Sequence, residues 1–212
     1  MSFLMPSTDV PYVDTQQMIE VDRAMMEDYK IELIQMMENA GRNLAHLARQ
    51  RFFEGNPIDK KVAVMAGSGG NGGGALVAAR RLHNWGASVH VFLGQDPEKM
   101  TPIPGHQLGI LQRMRVPGSG LAARVPNESF DLVLDGLIGY SLRGAPYGLV
   151  AELIRWANRQ DAPVLSLDTP SGVDTTTGTV FDPAISATAT MTLALPKEGL
   201  RTPGVDMRVG EL

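Results

Sequence analysis

Cysteine is absent from the 212-residue sequence, which excludes disulfides, thiolate metal sites and cysteine nucleophiles. Positive charge is scarce: only five residues are lysine, and 23 acidic side chains against 19 Lys and Arg leave a net charge of −4. This balance argues against a general nucleic-acid binder. No apolar run approaches the ~18 residues that span a membrane, and residues 1–14 lack the pattern of a signal peptide. We therefore expect a cytoplasmic protein that binds neither nucleic acid nor membrane.

Apolar patterning predicts alternating strands and helices behind an N-terminal helical segment. Helical spacing covers residues 15–29, with Thr15 as N-cap, and continues from Leu33 to about residue 55. Short apolar runs predict strands at 61–65, 88–93, 131–135, 164–168 and 187–195, with helices around 75–82, 105–114 and 148–159. The alternation indicates a mainly parallel sheet covered by helices on both faces. We expect one domain over residues 1–212, with a helical extension at 1–56 and a core at 57–212.

A glycine cluster follows the first predicted strand. Residues 67–74 contain a G-x-G-x-x-G match at Gly67, Gly69 and Gly72, placed between a strand and a helix. Glycines let the backbone approach a phosphate closely, and a helix N-terminus offers free N–H donors. The pattern favours a phosphate-binding loop, while a flexible glycine loop without a ligand remains the alternative.

Two further strand ends carry carboxylates. Asp135 begins the segment 135–145, and Asp168 begins the segment 168–174. Each aspartate either serves a ligand or simply caps the turn that follows it, and Arg143 either pairs with phosphate or is solvated. Because ligands of such sheets lie beyond the carboxyl ends of the strands, we expect the three segments to meet at one edge. Asp168 ends an apolar strand, so partial desolvation suits it to acid–base chemistry.

Other enzyme classes have less support in the sequence. The four histidines share no ligand spacing, and no Gly-x-Ser-x-Gly motif is present, so neither a zinc site nor a serine hydrolase is predicted. An ordinary Rossmann dehydrogenase needs an acidic residue about 20 positions after the glycines to bind the ribose. Asp96 is the one candidate near a strand end, and it lies beyond the strand.

The segments together resemble one known family, the NAD(P)H-hydrate epimerases, also called the YjeF N-terminal domain family. Residues 37–42 are similar to its helix signature, 67–80 to its glycine loop and following helix, and 131–148 to its second loop. Residues 168–174 resemble its aspartate–x–proline–serine–glycine segment, and 196–200 a late signature. The resemblance therefore runs through most of the chain in the family's order.

The resemblance implies both a fold and an activity. The fold is a Rossmann-like three-layer α/β/α sandwich, usually a homodimer. The activity is interconversion of the R and S forms of NADH and NADPH hydrated at C6, a repair of damaged cofactors. A separate NAD(P)H-hydrate dehydratase acts on the S form, so functional coupling to that enzyme is implied as well.

The resemblance also assigns residues. Asp168 is the implied catalytic acid–base residue, and Asn71, Asp135 and Ser171 are the implied ligands of a potassium ion. The implied substrate-binding residues come from the glycine cluster, the second loop and the third strand end: Gly70, Asn71, Gly72, Gly73, Gly74, Gly139, Tyr140, Ser141, Leu142, Arg143, Gly144, Ala145 and Asp168.

The chain departs from the family pattern at the substrate side. The family usually has asparagine and aspartate where this chain has Gly70 and Gly74, and threonine where it has Tyr140. These departures keep a second interpretation open, namely a weakened or inactive dinucleotide-binding module of the same fold.

Overall fold

The computed structural model describes residues 10–118 and 128–212. Its five strands are β1 (Lys61–Ala66), β2 (Ser88–Leu93), β3 (Leu132–Gly136), β4 (Val164–Leu167) and β5 (Ala189–Met191). Its α-helices are α1 (Thr15–Arg23), α2 (Leu33–Phe52), α3 (Gly70–Asn84), α4 (Pro102–Arg113), α5 (Gly148–Ala157) and α6 (Asp206–Val209). Short 3₁₀ turns cover Pro97–Lys99 and Glu198–Arg201.

The five strands form one sheet in the order β2-β1-β3-β4-β5, and every neighbouring pair is parallel. Side chains of β1 alternate between two hydrophobic clusters: Val62 and Val64 belong to one, Ala63 and Met65 to the other. Parallel sheets are covered on both faces, which is why their strands are continuous apolar runs. The predicted parallel α/β fold is confirmed.

Helices cover the two faces unequally. The first cluster contains Leu44 of α2, Leu76 of α3 and Leu111 of α4. The second contains Ile154 and Trp156 of α5, together with aromatic side chains. The larger layer, formed by α2, α3 and α4, lies on the side of the glycine cluster.

The start of α1 differs from the prediction. Asp14, and not Thr15, is the N-cap: its carboxylate accepts a hydrogen bond of 2.8 Å from the Gln17 N–H, and Gln17 accepts one of 2.9 Å from the Asp14 N–H. This reciprocal capping box satisfies two backbone N–H groups. With Thr15 as N-cap the N3 residue would be Met18, whose side chain has no oxygen to complete the box. Thr15 instead shares a hydrogen bond of 2.8 Å with Thr175. After Arg23 the helix widens into a π-helical turn, Ala24–Asp28.

The glycine cluster is less of a loop than the sequence indicated. Helix α3 begins at Gly70, so five of the glycine-cluster residues are helical despite the low helix propensity of glycine. Contact with α2 overrides that propensity: a Cβ on Gly41 would lie 2.4 Å from the Gly74 carbonyl oxygen. The absence of side chains therefore lets two helices approach closely, and only residues 67–69 form the loop.

Candidate functional site

A cavity of about 850 Å³ opens at the carboxyl ends of the strands. Residues that follow each of the five strands line it, together with Met18, Met25, Met36 and Met37. Its volume falls within the range of small-molecule sites. The three segments expected to meet do so here, because β1, β3 and β4 are neighbours in the sheet.

Asp168 lies in the wall of this cavity in an uncommon backbone conformation. Its φ is +71°, and the Thr169 N–H donates a hydrogen bond of 2.9 Å to the Leu167 carbonyl across it, which defines a tight γ-turn. A second hydrogen bond of 2.7 Å joins its own N–H to the Met191 carbonyl. Non-glycine residues at positive φ are strained and persist only where the surroundings hold them. The fold therefore fixes where the Asp168 side chain lies.

Lys197 is the ion-pair partner of Asp168. Its side chain is fully buried, and its ammonium donates to Asp168 Oδ1, to the Leu193 carbonyl at 2.8 Å and to Thr192 Oγ1 at 3.3 Å. Lys197 lies in the late signature at residues 196–200, but no role was predicted for it. The available signal was a lysine in the segment that follows the last apolar strand.

Asp135 and Ser171 form a buried polar unit behind the cavity. Asp135 Oδ1 accepts hydrogen bonds from Ser171 Oγ at 2.7 Å and the Leu137 N–H at 3.2 Å. Oδ2 accepts from Ser166 Oγ and the Ser171 N–H, both at 2.9 Å. Burial raises the pKa of Asp135, against the opposing effect of these hydrogen bonds. Within residues 10–118 and 128–212, no cationic side chain forms an ion pair with it.

Asn71 connects the glycine cluster to the other two strand ends. Its amide Nδ2 donates a hydrogen bond of 2.8 Å to the Leu167 carbonyl. Its side chain also lies against Gly139, where a Cβ would be 2.6 Å from Asn71 Oδ1. Only glycine at 139 leaves room for this amide, so the Asn71 side chain of α3 requires a glycine in the second loop.

Tyr140 bridges the cavity to helix α1. Its phenol donates a hydrogen bond of 2.5 Å to Asp22 Oδ2, and both residues line the cavity. Burial raises the pKa of Tyr140, and the Asp22 carboxylate raises it further. The phenol therefore stays protonated and keeps its hydrogen bond through the neutral range. Neither Asp22 nor this bond was predicted.

The structure divides the predicted substrate-binding residues into three groups. Those that line the cavity are Gly70, Asn71, Gly139, Tyr140, Ser141 and Asp168. Gly72, Gly73 and Gly74 are buried inside α3, where a Cβ would meet Gly67, Met37 and Leu167, respectively. Leu142, Arg143, Gly144 and Ala145 continue the second loop outside the cavity lining. The roles of all three groups stay predictions.

Few ionisable side chains line the cavity. The ionisable lining groups among the described residues are Asp22, Tyr140, Asp168 and Lys197, and the one cation is already paired. The first hydrogen bond of α3 runs from the Gly73 N–H to the Gly69 carbonyl, so the preceding N–H groups of the helix are free to bind an anion.

Asp96, the candidate ribose-binding residue of a dehydrogenase, does not line the cavity. Its carboxylate caps a short turn by accepting from the Glu98 N–H at 3.0 Å.

Two features are absent from the part of the chain that the structure describes. No group of three or more His, Asp and Glu side chains is placed to hold a metal ion. None of the helices combines the length and the apolar character needed to cross a membrane.

Comparison with known proteins places this geometry in a family. Residues 33–199 match the family described as YjeF-related protein N-terminus, and the chain belongs to that family. The NAD(P)H-hydrate epimerase of Dehalogenimonas lykanthroporepellens is 45% identical over 86% of this chain and 74% of its own length. The bifunctional NAD(P)H-hydrate repair enzyme Nnr of Moorella thermoacetica is 36% identical over 89% of this chain.

Fold similarity extends to a solved structure. The crystal structure of yeast ynu0 (YNL200c) aligns with a TM-score of 0.73 at 23% identity, covering 89% of this chain and 82% of the yeast chain. At that identity the likeness concerns the fold alone. The present chain spans only 37% of the Moorella enzyme, so it corresponds to one part of that longer protein.

Proposed function

We propose that this protein is an epimerase that interconverts the R and S forms of hydrated NADH and NADPH. The observation that carries the proposal is Asp168, held at φ +71° in the wall of the cavity with one carboxylate oxygen fixed by Lys197. Strained residues cluster at functional sites, and an ionised carboxylate is a suitable proton acceptor. The 45% identity to a protein named NAD(P)H-hydrate epimerase supports the same substrate class.

The chemistry needs one group that moves a proton. Asp168 takes the proton of the hydroxyl on C6, and the bond between C6 and the ring nitrogen breaks to leave an aldehyde. The nitrogen receives the proton in the open form. Reclosure on the other face of the carbonyl reverses both transfers, so atoms and charge balance and only the configuration at C6 changes.

The direct test follows the two epimers. Separated R and S hydrates are incubated with the protein, and their interconversion is followed by chromatography. We expect both directions to reach the same mixture faster than in buffer alone. Unchanged epimers in both incubations would refute the proposed function.

A binding module without turnover is the second candidate. It is favoured by Gly70 and Gly74, which present no polar side chain where the family usually has two. Calorimetry measures binding of the hydrates, and chromatography measures their interconversion. A binding module would show the first without the second.

We further propose a potassium ion held by Asn71, Asp135 and Ser171. Amide, carboxylate and hydroxyl oxygens suit a hard cation, and the buried Asp135 carboxyl has no ion-pair partner among the described residues. The Ser171 hydroxyl donates its hydrogen to Asp135 Oδ1 and accepts a hydrogen bond of 2.9 Å from the Ile138 N–H, which leaves one lone pair of its oxygen for the ion. The residues fit the ion in chemistry and charge, and its role would be to neutralise Asp135 and order the two loops.

The proposal extends to assembly, location and partners: a cytoplasmic homodimer. Exposed apolar side chains at Ile19, Met26, Tyr29, Ile31 and Leu33 support the dimer, and sedimentation equilibrium would test it. Coupling to a separate hydrate dehydratase is supported by relatives that are bifunctional hydrate repair enzymes. Repair of an R, S mixture in the presence of both enzymes would test that coupling.

A further inference from the structure

Burying the Lys197–Asp168 ion pair costs desolvation free energy, which suggests a role in the site. Both side chains are almost completely removed from solvent, at 0% and 3% exposure. Taking two charges out of water costs several kcal/mol per ion, and the attraction between them repays this only with good geometry and further hydrogen bonds. A hydrophobic pair would fill the same volume without that penalty. The ion pair is therefore a feature that packing alone does not explain.

The geometry treats the two oxygens of Asp168 differently. Oδ1 accepts from the Lys197 ammonium and from the Leu193 N–H at 3.1 Å. Oδ2 has no hydrogen-bond partner among the described residues, and it is not among their buried unpaired atoms, so it keeps contact with the cavity. One oxygen is fixed and the other is available.

The Lys197 ammonium is itself held on all sides. It donates to three oxygens, those of Asp168, Thr192 and Leu193, which uses every N–H of an ammonium. Its backbone is anchored as well: the Val13 N–H donates to the Pro196 carbonyl and the Glu198 N–H donates to the Val13 carbonyl, both at 2.9 Å. The charge therefore has a fixed position relative to the carboxylate.

We propose, resting on the epimerase function above, that Lys197 is a positioning residue that fixes Asp168 Oδ1 and leaves Oδ2 to exchange the proton with the substrate. Lys197 does not touch the reacting atoms in this arrangement. It keeps the carboxylate in one orientation beside the substrate. Removal of the ammonium should therefore lower kcat much more than it changes KM.

The first measurement uses Lys197→Met, which keeps the length of the side chain and removes its charge. We expect kcat to fall about 10²-fold with KM within about threefold, since misplacing a catalytic group costs that much without weakening ground-state binding. Lys60→Met, at an exposed lysine outside the cavity, is the control and should match the wild type. Lys197→Gln keeps hydrogen-bond donors and replaces the Met variant if that one does not fold.

The second measurement separates positioning from mere structural support. Lys197→Ala leaves the space of a propylammonium ion beside the cavity, so added propylammonium should restore at least about tenfold of the lost kcat. Propanol has nearly the same size without the charge and should restore none. Far-ultraviolet circular dichroism with and without each additive shows whether the fold itself responds.

The possible outcomes distinguish failure of this inference from failure of the epimerase function on which it rests. A wild-type protein that leaves the epimers unchanged refutes the epimerase function, and the inference with it. An active wild type with wild-type kcat in both Lys197→Met and Lys197→Gln overturns the inference alone. Equal rescue by propanol and propylammonium, or no rescue in a folded Ala variant, also overturns it, because the charge would then have no positioning role.

Discussion

Tyr140 and Asp22 are joined across the cavity by a hydrogen bond of 2.5 Å, although 118 positions separate them in the sequence. One residue belongs to the loop after β3 and the other to α1, so the bond connects the strand ends to the N-terminal helical segment. Hydrogen bonds to a charged acceptor are stronger than neutral ones. The bond therefore contributes to holding the cavity wall together.

Replacing Tyr140 with Phe removes this hydrogen bond and keeps the ring. We expect the free energy of unfolding to fall by about 1–2 kcal/mol at neutral pH, since Asp22 loses a donor. Urea unfolding followed by circular dichroism measures the change. Tyr147→Phe is the matched control, because the Tyr147 side chain is 87% exposed, and it should change stability little. Equal effects of the two substitutions would contradict the structural role of Tyr140.

The same bond predicts a pH dependence. Burial and the Asp22 carboxylate raise the pKa of Tyr140 in the folded protein. Above about pH 10 the unfolded chain therefore releases the phenol proton while the folded chain retains it, and the stability contributed by the bond declines with rising pH. The difference in unfolding free energy between wild type and Tyr140→Phe should narrow from pH 9 upward in repeated urea titrations. A constant difference over that range would contradict the raised pKa.

Gly74→Asp tests whether the family's usual carboxylate can be restored in this chain. A Cβ on Gly74 would lie 2.8 Å from Leu167 Cδ2, and the position is buried. Overpacking and a buried unpaired carboxylate both destabilise, so we expect a loss of at least about 2 kcal/mol in unfolding free energy. Gly70→Asn is the control: Gly70 is exposed, with no atom within 4 Å of a Cβ. A Gly74→Asp variant as stable as Gly70→Asn would show that α3 can shift to admit the side chain.

Helix α3 shows which features of the fold were predictable from the sequence and which were not. The strands were predictable because buried parallel strands are short apolar runs, and the face of α3 was predictable from Ala75, Ala78, Ala79 and Leu82, all fully buried. The start of α3 was not, because glycine favours loops and the sequence does not show that α2 packs closely on these glycines at Gly41. Tertiary packing overrode the local preference.

The functional site also contains residues that were predictable from the sequence and residues that were not. Asp135 and Asp168 were recognisable because each lies at the end of an apolar strand and parallel strand ends share one edge, whereas Asn71 was assigned only by the family resemblance. Asp22 carried no such signal, and the position of Lys197 after the last apolar strand did not indicate a role for it. Each of the two gains its role from a partner that only the folded chain brings near. Residues that position other residues are harder to find in one sequence than residues at strand ends.

Potassium should stabilise the protein if the proposed site is real. Binding to the folded state at about 100 times the Kd adds ~2.7 kcal/mol, so the melting temperature should rise with KCl relative to choline chloride at equal ionic strength. Ser171→Ala removes one oxygen donor and should lose most of this rise. Ser88→Ala, at an exposed position away from the cavity, should keep it. A melting temperature independent of potassium in the wild type would refute the site.

Asp168→Asn should abolish epimerisation and also weaken the fold. An amide accepts no proton at neutral pH, so kcat should fall by at least about 10²-fold, and the buried Lys197 ammonium loses its counter-charge, which costs about 3–5 kcal/mol of unfolding free energy. Combining Asp168→Asn with Lys197→Met removes the unpaired charge, so the double variant should regain stability in urea titrations while its turnover stays lost. Asp161→Asn, an exposed carboxylate outside the cavity, is the control. Wild-type turnover in Asp168→Asn would make Asp168 a turn residue only and would remove the proton transfer on which the proposed reaction depends.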